Sequence, residues 1–221
     1  MTKKLNAAKK AIEYIQDGMT VGLGTGSTVE VMIEELSKKI KAGLNIKCIS
    51  TSSRTTKFAN NLGIIIHDFD SVAKINLTID GADEVDPYLR GIKGGGGALL
   101  YEKIVAYNSE KNIWIVDDSK LVNKLGSFPL PIEVVPFAAR KLLVKFEQMK
   151  LNPVIRKSEN KNFLTDSGHF IIDCRIGEID DARTLEKELK MIPGVVEVGL
   201  FIDIADYVII GYSDRTEVLE K

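Results

Sequence analysis

Apolar positions at the start of the chain recur every three or four residues: Leu5, Ala8, Ala11, Ile12 and Ile15. That spacing predicts an amphipathic helix closing near Asp17-Gly18. Thr20-Val21-Gly22-Leu23 then reads as a short strand running into Gly24-Thr25-Gly26-Ser27-Thr28, after which Val29, Met32, Ile33, Leu36 and Ile40 return to helical spacing. Ile46 to Ile49 is the next strand; it ends in Ser50-Thr51-Ser52-Ser53 and is followed by a helix to about Leu62. Ile64-Ile65-Ile66 and Ile75 to Ile79 also read as strands, the second ending in Asp80. The run Gly94 to Gly97 opens a helix from about Ala98 to Asn108, and Ile113 to Val116 is a strand. Strands alternating with helices predict a parallel sheet covered on both faces.

After Phe128-Pro129-Leu130-Pro131 the order changes. Ile132 to Val135 reads as a strand, leading to a helix with Ala138, Leu142, Phe146 and Met149 on one face. A strand near Val154 and two strands around the Asp166-Ser167-Gly168 turn follow. A helix carrying Leu185, Leu189 and Ile192 comes next, then a strand from Val195 to Phe201. This β-α-β-β-α-β order is the ferredoxin-like arrangement. Tyr207 to Ile210 is a last strand with no partner helix, and it is assigned back to the first sheet. The expected fold is α/β: a Rossmann-like parallel-sheet catalytic domain, residues 1–126 plus 203–221, with an inserted small ferredoxin-like α+β domain, residues 127–202.

The 221 residues include 30 basic and 31 acidic side chains, a net charge of −1. That balance gives no bulk electrostatic grip on nucleic acid or a membrane, although a few placed lysines suffice for a small anion. Cys48 and Cys174 form no CxxC pair, and two histidines leave a zinc site or a Ser-His-Asp triad short of residues. The lysine-rich start lacks the apolar core of a signal peptide, and no run approaches the ~20 apolar residues of a membrane span. A reduced, cytoplasmic enzyme or binding protein is expected.

Ligands of open α/β sheets bind at the carboxyl ends of the strands, and four such ends here are polar or glycine-rich. In Gly22 to Thr28 the glycines let backbone approach a ligand, the helix start presents N–H groups, and Thr25, Ser27 and Thr28 add hydroxyls. The combination suits a phosphate; the same residues also suit a tight turn with Ser27 or Thr28 as N-cap. Neither alignment of the glycines completes GxGxxG, and the second strand ends in Ser/Thr rather than an acid, which argues against a dinucleotide. Thr51-Ser52-Ser53 reads equally as a ligand wall or a helix cap. In Asp80-Gly81-Ala82-Asp83-Glu84-Val85-Asp86, Asp80 directly follows an apolar strand and so sits at the ligand edge; a solvated turn and a magnesium site are the competing readings. In Lys93 to Lys103, four glycines precede a helix on which Glu102, in the second turn, has Ala98, Leu99, Val105 and Ala106 as its neighbours. A carboxylate on such a face is desolvated, which raises its pKa and makes it a better base.

At these residues the chain closely resembles the ribose-5-phosphate isomerase A family. GLGTGST, TSSRTT, DGADEVD and KGGGGALLYEK stand in the family's order and spacing, and the likeness continues through VDDSK (116–120), GSFPLPIEVVP (126–136) and IPGVVEVGLF (192–201). It departs at Tyr101 and at Arg90-Gly91. The resemblance implies that Glu102, Asp80, Asp83 and Lys93 form the catalytic group. It implies a substrate site lined by Thr25, Gly26, Ser27, Thr28, Asp80, Gly81, Ala82, Asp83, Lys93, Gly94, Gly95, Gly96 and Lys120. It further implies a homodimer, no cofactor and no metal, and the interconversion of ribose 5-phosphate and ribulose 5-phosphate. Lys120 and Lys4 are candidates for charge on the phosphate. Two other readings stand beside this one: a related-fold enzyme such as an amino-sugar-phosphate deaminase or CoA-transferase, and a non-catalytic sugar-phosphate sensor. The first lacks the joint DGADE and KGGGGAL pattern, and for the second no DNA-binding segment flanks the domain.

Overall fold

The opening helix α1 covers Thr2–Ile12 in the computed structural model, which describes residues 1–221. It ends earlier than its apolar spacing predicts. Tyr14 N bonds Ala11 O and Ile15 N bonds Ile12 O, so the last turn tightens to 3₁₀ geometry before Gly18 reverses the chain at φ 80. Ala7, Ala8 and Ala11 are fully buried, and the helix backbone lies against the sheet: a Cβ on Gly211 would stand 1.9 Å from Lys3 O.

The chain forms two units. The first comprises Met1–Ala82, Tyr101–Leu121 and Asp203–Lys221; the second comprises Asp83–Leu100 and Val122–Ile202. The element pattern places the borders at 126/127 and 202/203, whereas the contacts group 83–100 and 122–126 with the second unit.

The first unit is built on a six-stranded sheet in the order Thr216–Glu220, Tyr207–Gly211, Asn112–Asp117, Leu77–Asp80, Thr20–Leu23, Lys47–Ser50. All pairs are parallel except the outermost, where Thr216–Glu220 runs antiparallel to Tyr207–Gly211. Tyr207 to Ile210 thus rejoins the first sheet as expected, but a further strand follows it. That strand is half-exposed and polar, as suits a sheet edge. Helices α2 (Ser27–Lys41), α3 (Ser53–Asn61) and α4 (Leu99–Tyr107) follow strands as the alternation predicts. Met32, Ile33 and Leu36 of α2 have no exposure, each contributing ~1.5–3 kcal/mol by burial. Ile64-Ile65-Ile66 is not a strand. Ile66 makes one bridge to Cys48, and Asp68 then caps a 3₁₀ turn that carries the chain away from the sheet edge.

The second unit contains a four-stranded antiparallel sheet ordered Val195–Val198, Leu130–Val134, Phe170–Cys174, Pro153–Ile155, with α5 (Ala139–Gln148) and α6 (Ala182–Lys190). Numbered by chain position its strands run fourth, first, third, second, the ferredoxin-like order. Two details differ from expectation. Only one sheet strand flanks the 166–168 turn; the chain before it forms a small hairpin, Lys157–Ser158 with Lys161–Asn162. The stretch from Val195 to Phe201 breaks at Gly199, and Leu200–Phe201 joins a separate three-stranded sheet with Gly91–Ile92 and Glu84–Val85. A Cβ on Gly199 would stand 2.4 Å from Lys93 O, so glycine is required where the strand changes sheets.

Candidate active site

In the first unit the chain passes from Thr20–Leu23 to Lys47–Ser50 on one side, then to Leu77–Asp80 on the other. Such a reversal leaves the crevice in which open α/β sheets bind ligands. Gly24 follows one of these central strands and Asp80 ends the other, and the two touch. Thr25 N donates to Asp80 Oδ1 at 3.0 Å, and Gly81 N donates to the same oxygen at 2.7 Å. A Cβ on Gly24 would stand 2.0 Å from Asp80 Oδ1, so only glycine lets the loop lie on this buried carboxylate.

Gly26, at φ 135, is the N-cap of α2, and no side chain caps that helix. Ser27 and Thr28 therefore stand inside its first turn rather than as caps. An uncapped helix start of this kind receives anions. Lys4 reaches it from α1 and donates to Ser27 Oγ at 2.8 Å. Lys120 ends the 3₁₀ turn Asp118–Lys120. Burial opposes ionisation of Asp117, yet hydrogen bonds from Ser119 and the charges of Lys120 and Lys4 hold its pKa below the ordinary carboxylate range. One carboxylate feels both lysines, so both cations bear on the same corner of this unit.

Thr25 gives its backbone N–H to Asp80. Its Oγ1 is turned into a buried hydroxyl cluster, 2.8 Å from Thr51 Oγ1, 2.7 Å from Ser52 Oγ and 3.2 Å from Thr55 Oγ1. Ser52 is the N-cap of α3, accepting from Thr55 N at 3.1 Å, so this strand end resolves as a helix cap. Glu102 is in the first turn of α4 rather than the second, because the helix begins at Leu99. It is 3% exposed. The helix lies close on the sheet because a Cβ on Gly22 would meet Thr78 Oγ1 at 2.1 Å and Val105 Cγ1 at 2.9 Å.

In the second unit the acidic segment separates into distinct jobs. Asp83 Oδ2 accepts from Gly95 N at 2.7 Å. Glu84 is buried, and its two oxygens accept from Gly126 N and Phe128 N. Asp86 is fully enclosed against Arg90, at 2.6 Å, and accepts from Tyr88 N. Neighbouring carboxylates thus face different backbone donors, which is not the convergent oxygen set of a magnesium site. Lys93 is 3% exposed; its backbone N donates to Gly199 O at 2.9 Å and its Nζ lies 5.2 Å over the Phe201 ring. Gly94 and Gly97 take φ 111 and 81, and a Cβ on Gly97 would stand 2.4 Å from the Phe163 ring.

The sequence profile described as Ribose 5-phosphate isomerase A (phosphoriboisomerase A) matches residues 47–215. The chain belongs to that family. Ribose-5-phosphate isomerase A of Limosilactobacillus reuteri (strain DSM 20016) is 50% identical over 218 residues, covering 98% of this chain and 96% of its own. Ribose 5-phosphate isomerase A of Methanocaldococcus jannaschii superposes with TM-score 0.93 at 42% identity, over 99% of this chain and 98% of that one. A D-ribose-5-phosphate isomerase in complex with phospho-erythronic acid gives TM-score 0.95 at 42% identity, over 100% and 98%.

In this isomerase-family chain, three contributors lie outside the residues marked by sequence. Arg156 donates through Nη1 to Gly94 O at 2.7 Å and Gly95 O at 3.1 Å. Gly199 holds the Lys93 backbone, and Phe163 covers Gly97. An arginine some sixty positions from the loop it serves carries no local signal; Gly199, isolated inside a strand pattern, did carry one. The two cysteines are buried, and burial pushes both thiols up to about 12, with Asp173 adding to the effect at Cys174. Neither offers a thiolate nucleophile.

Proposed function

We propose that this chain interconverts D-ribose 5-phosphate and D-ribulose 5-phosphate through an enediolate, as a step of the non-oxidative pentose phosphate pathway, with Glu102 as the base. The observation that carries the reading is Glu102, 3% exposed in the first turn of an apolar helix, within a chain of the ribose 5-phosphate isomerase A family.

Moving the carbonyl from C1 to C2 requires one group to take a proton from C2 and return it to C1. Glu102 does this. The electron pair left at C2 forms the C1–C2 double bond while the aldehyde oxygen becomes the enediolate oxyanion. Lys93 and the glycine-loop amides other than those of Gly95 and Gly97, which donate to Asp83 and Gly94 O, stabilise that charge as it develops. Asp80 and Asp83 carry the hydroxyl protons: one oxygen must gain a proton as O2 loses one, and the same groups serve ring opening. The α2 start with Ser27 and Thr28, together with Lys4 and Lys120, takes the phosphate. No cofactor enters the scheme. The phospho-erythronic acid held by the related structure supports it, since an erythronate carboxylate resembles the enediolate in charge and shape. The near-neutral net charge fits a small-molecule substrate with no nucleic-acid or membrane partner, and no helix is long and apolar enough to cross a membrane. The proposal includes a cytoplasmic homodimer.

Glu102→Gln tests the assignment. The amide keeps the shape but takes no proton, so kcat should fall by about 10³-fold or more, with KM within a few-fold. Normal turnover with weakened binding would remove Glu102 from the role of base.

A further inference from the structure

The peptide joining Gly94 and Gly95 is held at both ends. Its carbonyl, Gly94 O, accepts from Arg156 Nη1 at 2.7 Å; its N–H, on Gly95, donates to Asp83 Oδ2 at 2.7 Å. Arg156 is in turn gripped by Asp173, Nε to Oδ2 at 2.9 Å and Nη2 to Oδ1 at 2.5 Å, the bidentate fork that fixes a guanidinium in one plane. The result is a continuous chain, Asp173 to Arg156 to one peptide plane to Asp83, lying wholly within the second unit. We propose that Arg156 is a positioning residue of the isomerase reaction, acting on Asp83 through the Gly94–Gly95 peptide; this rests on the catalytic role given to Asp83 above.

Three features make the chain directional. A cation on a carbonyl oxygen polarises the amide, so the N–H at its other end becomes a stronger donor to a carboxylate. Glycine conformations are soft, so the turn bond from Gly97 N to Gly94 O at 3.0 Å does not by itself fix the plane of a peptide that follows φ 111. The seat beneath is rigid: a Cβ on Gly94 would lie 3.2 Å from Pro131, and one on Gly95 would lie 2.7 Å from Asp83 Oδ1. Arg156 is itself set by the sheet, with its N–H on Ile171 O at 2.8 Å and the Phe163 ring 5.9 Å from its guanidinium. Lysine offers a point charge and no planar fork, so it does not replace arginine here.

The test is a double-mutant cycle of Arg156→Met and Asp83→Asn, with Arg156→Lys and Asp173→Asn as milder variants, read by isomerase kinetics and by the amide proton resonance of Gly95. Arg156→Met should lower kcat by about 10- to 100-fold, the scale of a catalytic group displaced by an ångström, with little change in KM. In the Asp83→Asn background the same substitution should cost less than twofold. Arg156→Lys and Asp173→Asn should fall between Arg156→Met and the wild type. The Gly95 amide proton should move upfield in Arg156→Met and in Asp83→Asn alike, as its hydrogen bond weakens. Equal fold losses in both backgrounds would overturn the proposal, as would an unchanged Gly95 resonance in folded Arg156→Met or Arg156→Lys. An Asp83→Asn enzyme with full turnover is a different failure: it refutes the role given to Asp83, while the Gly95 resonance still reports whether Arg156 holds the peptide.

Discussion

Gly24→Ala probes the contact that seats Asp80 in the first unit. The added Cβ would stand 2.0 Å from Asp80 Oδ1, 2.2 Å from its Cγ and 2.6 Å from its Cα. Contacts under 3.0 Å are essentially never made by real Cβ atoms, so about 1 Å of separation must be found. Rotating the Asp80 side chain does not supply it, because the Cα is also too close. Either the loop lifts or the end of the Leu77–Asp80 strand shifts, and both break the bond from Thr25 N to Asp80 Oδ1. Overpacking of this kind costs about 1–3 kcal/mol of stability, which at about 2–4 °C per kcal/mol lowers the melting temperature by roughly 2–12 °C. A 1 Å displacement of a catalytic group costs about 100-fold in rate, or ~2.7 kcal/mol of barrier. Gly26→Ala is the control in the same loop. Its Cβ meets nothing within 4 Å, but φ 135 is strained for alanine at about 1–3 kcal/mol. Both variants should melt lower. Ketose formation from ribose 5-phosphate should show a kcat loss of about 100-fold for Gly24→Ala, and mainly a raised KM for Gly26→Ala, which loosens the helix start proposed for the phosphate. A Gly24→Ala enzyme whose kcat stays within threefold of wild type, or falls no further than that of Gly26→Ala, would refute the claim that the glycine exists to let Asp80 sit where it does.

Replacing Ser27 and Thr28 together by Ala should raise KM for ribose 5-phosphate about tenfold and barely alter activity on unphosphorylated ribose; equal effects on both sugars would make these hydroxyls structural. Lys93→Ala should lose kcat by about 10²- to 10³-fold and lose affinity for a sugar-phosphate hydroxamate more than for substrate. Parallel losses for both would assign the lysine to the phosphate instead. Glu133 is 1% exposed, and burial raises its pKa despite hydrogen bonds from His169 and Thr165. A carboxyl whose folded pKa is raised contributes stability that is present below the unfolded value, about 4.3, and is lost as pH rises through the folded value. Glu133→Gln should therefore melt at a higher temperature than wild type at pH 8, with a smaller difference at pH 4; a gain that shrinks from pH 4 to pH 8 would contradict this sign.

The alternation of strands and helices, the glycine loops, the position of Asp80 at a strand end and that of Glu102 on the helix after the glycine run, though not its turn, were legible from residues within a turn or a strand of one another. Periods of 3.6 and 2 residues are local, and so is the run of apolar residues that delivers Asp80 to a strand end. What a side chain faces is not local. Within DGADEVD the strand end marked Asp80, but only the folded chain turned Asp80 to Thr25 N, Asp83 to Gly95 N, Glu84 to Gly126 N and Asp86 to Arg90. Thr25 carried a ligand-lining hydroxyl in the sequence and a buried one in the structure, because the Thr51-Ser52 strand end passes behind it. Ile64-Ile65-Ile66 had strand composition but met the sheet edge at one residue, and a ladder needs a partner along its length. Arg156 reaches Gly94 across 62 positions because the Pro153–Ile155 strand pairs with Phe170–Cys174, which also brings Asp173 to it. Strand register and side-chain direction are settled by packing between distant segments, so the chemical inventory was written along the chain and its division of labour was decided only when the sheets closed.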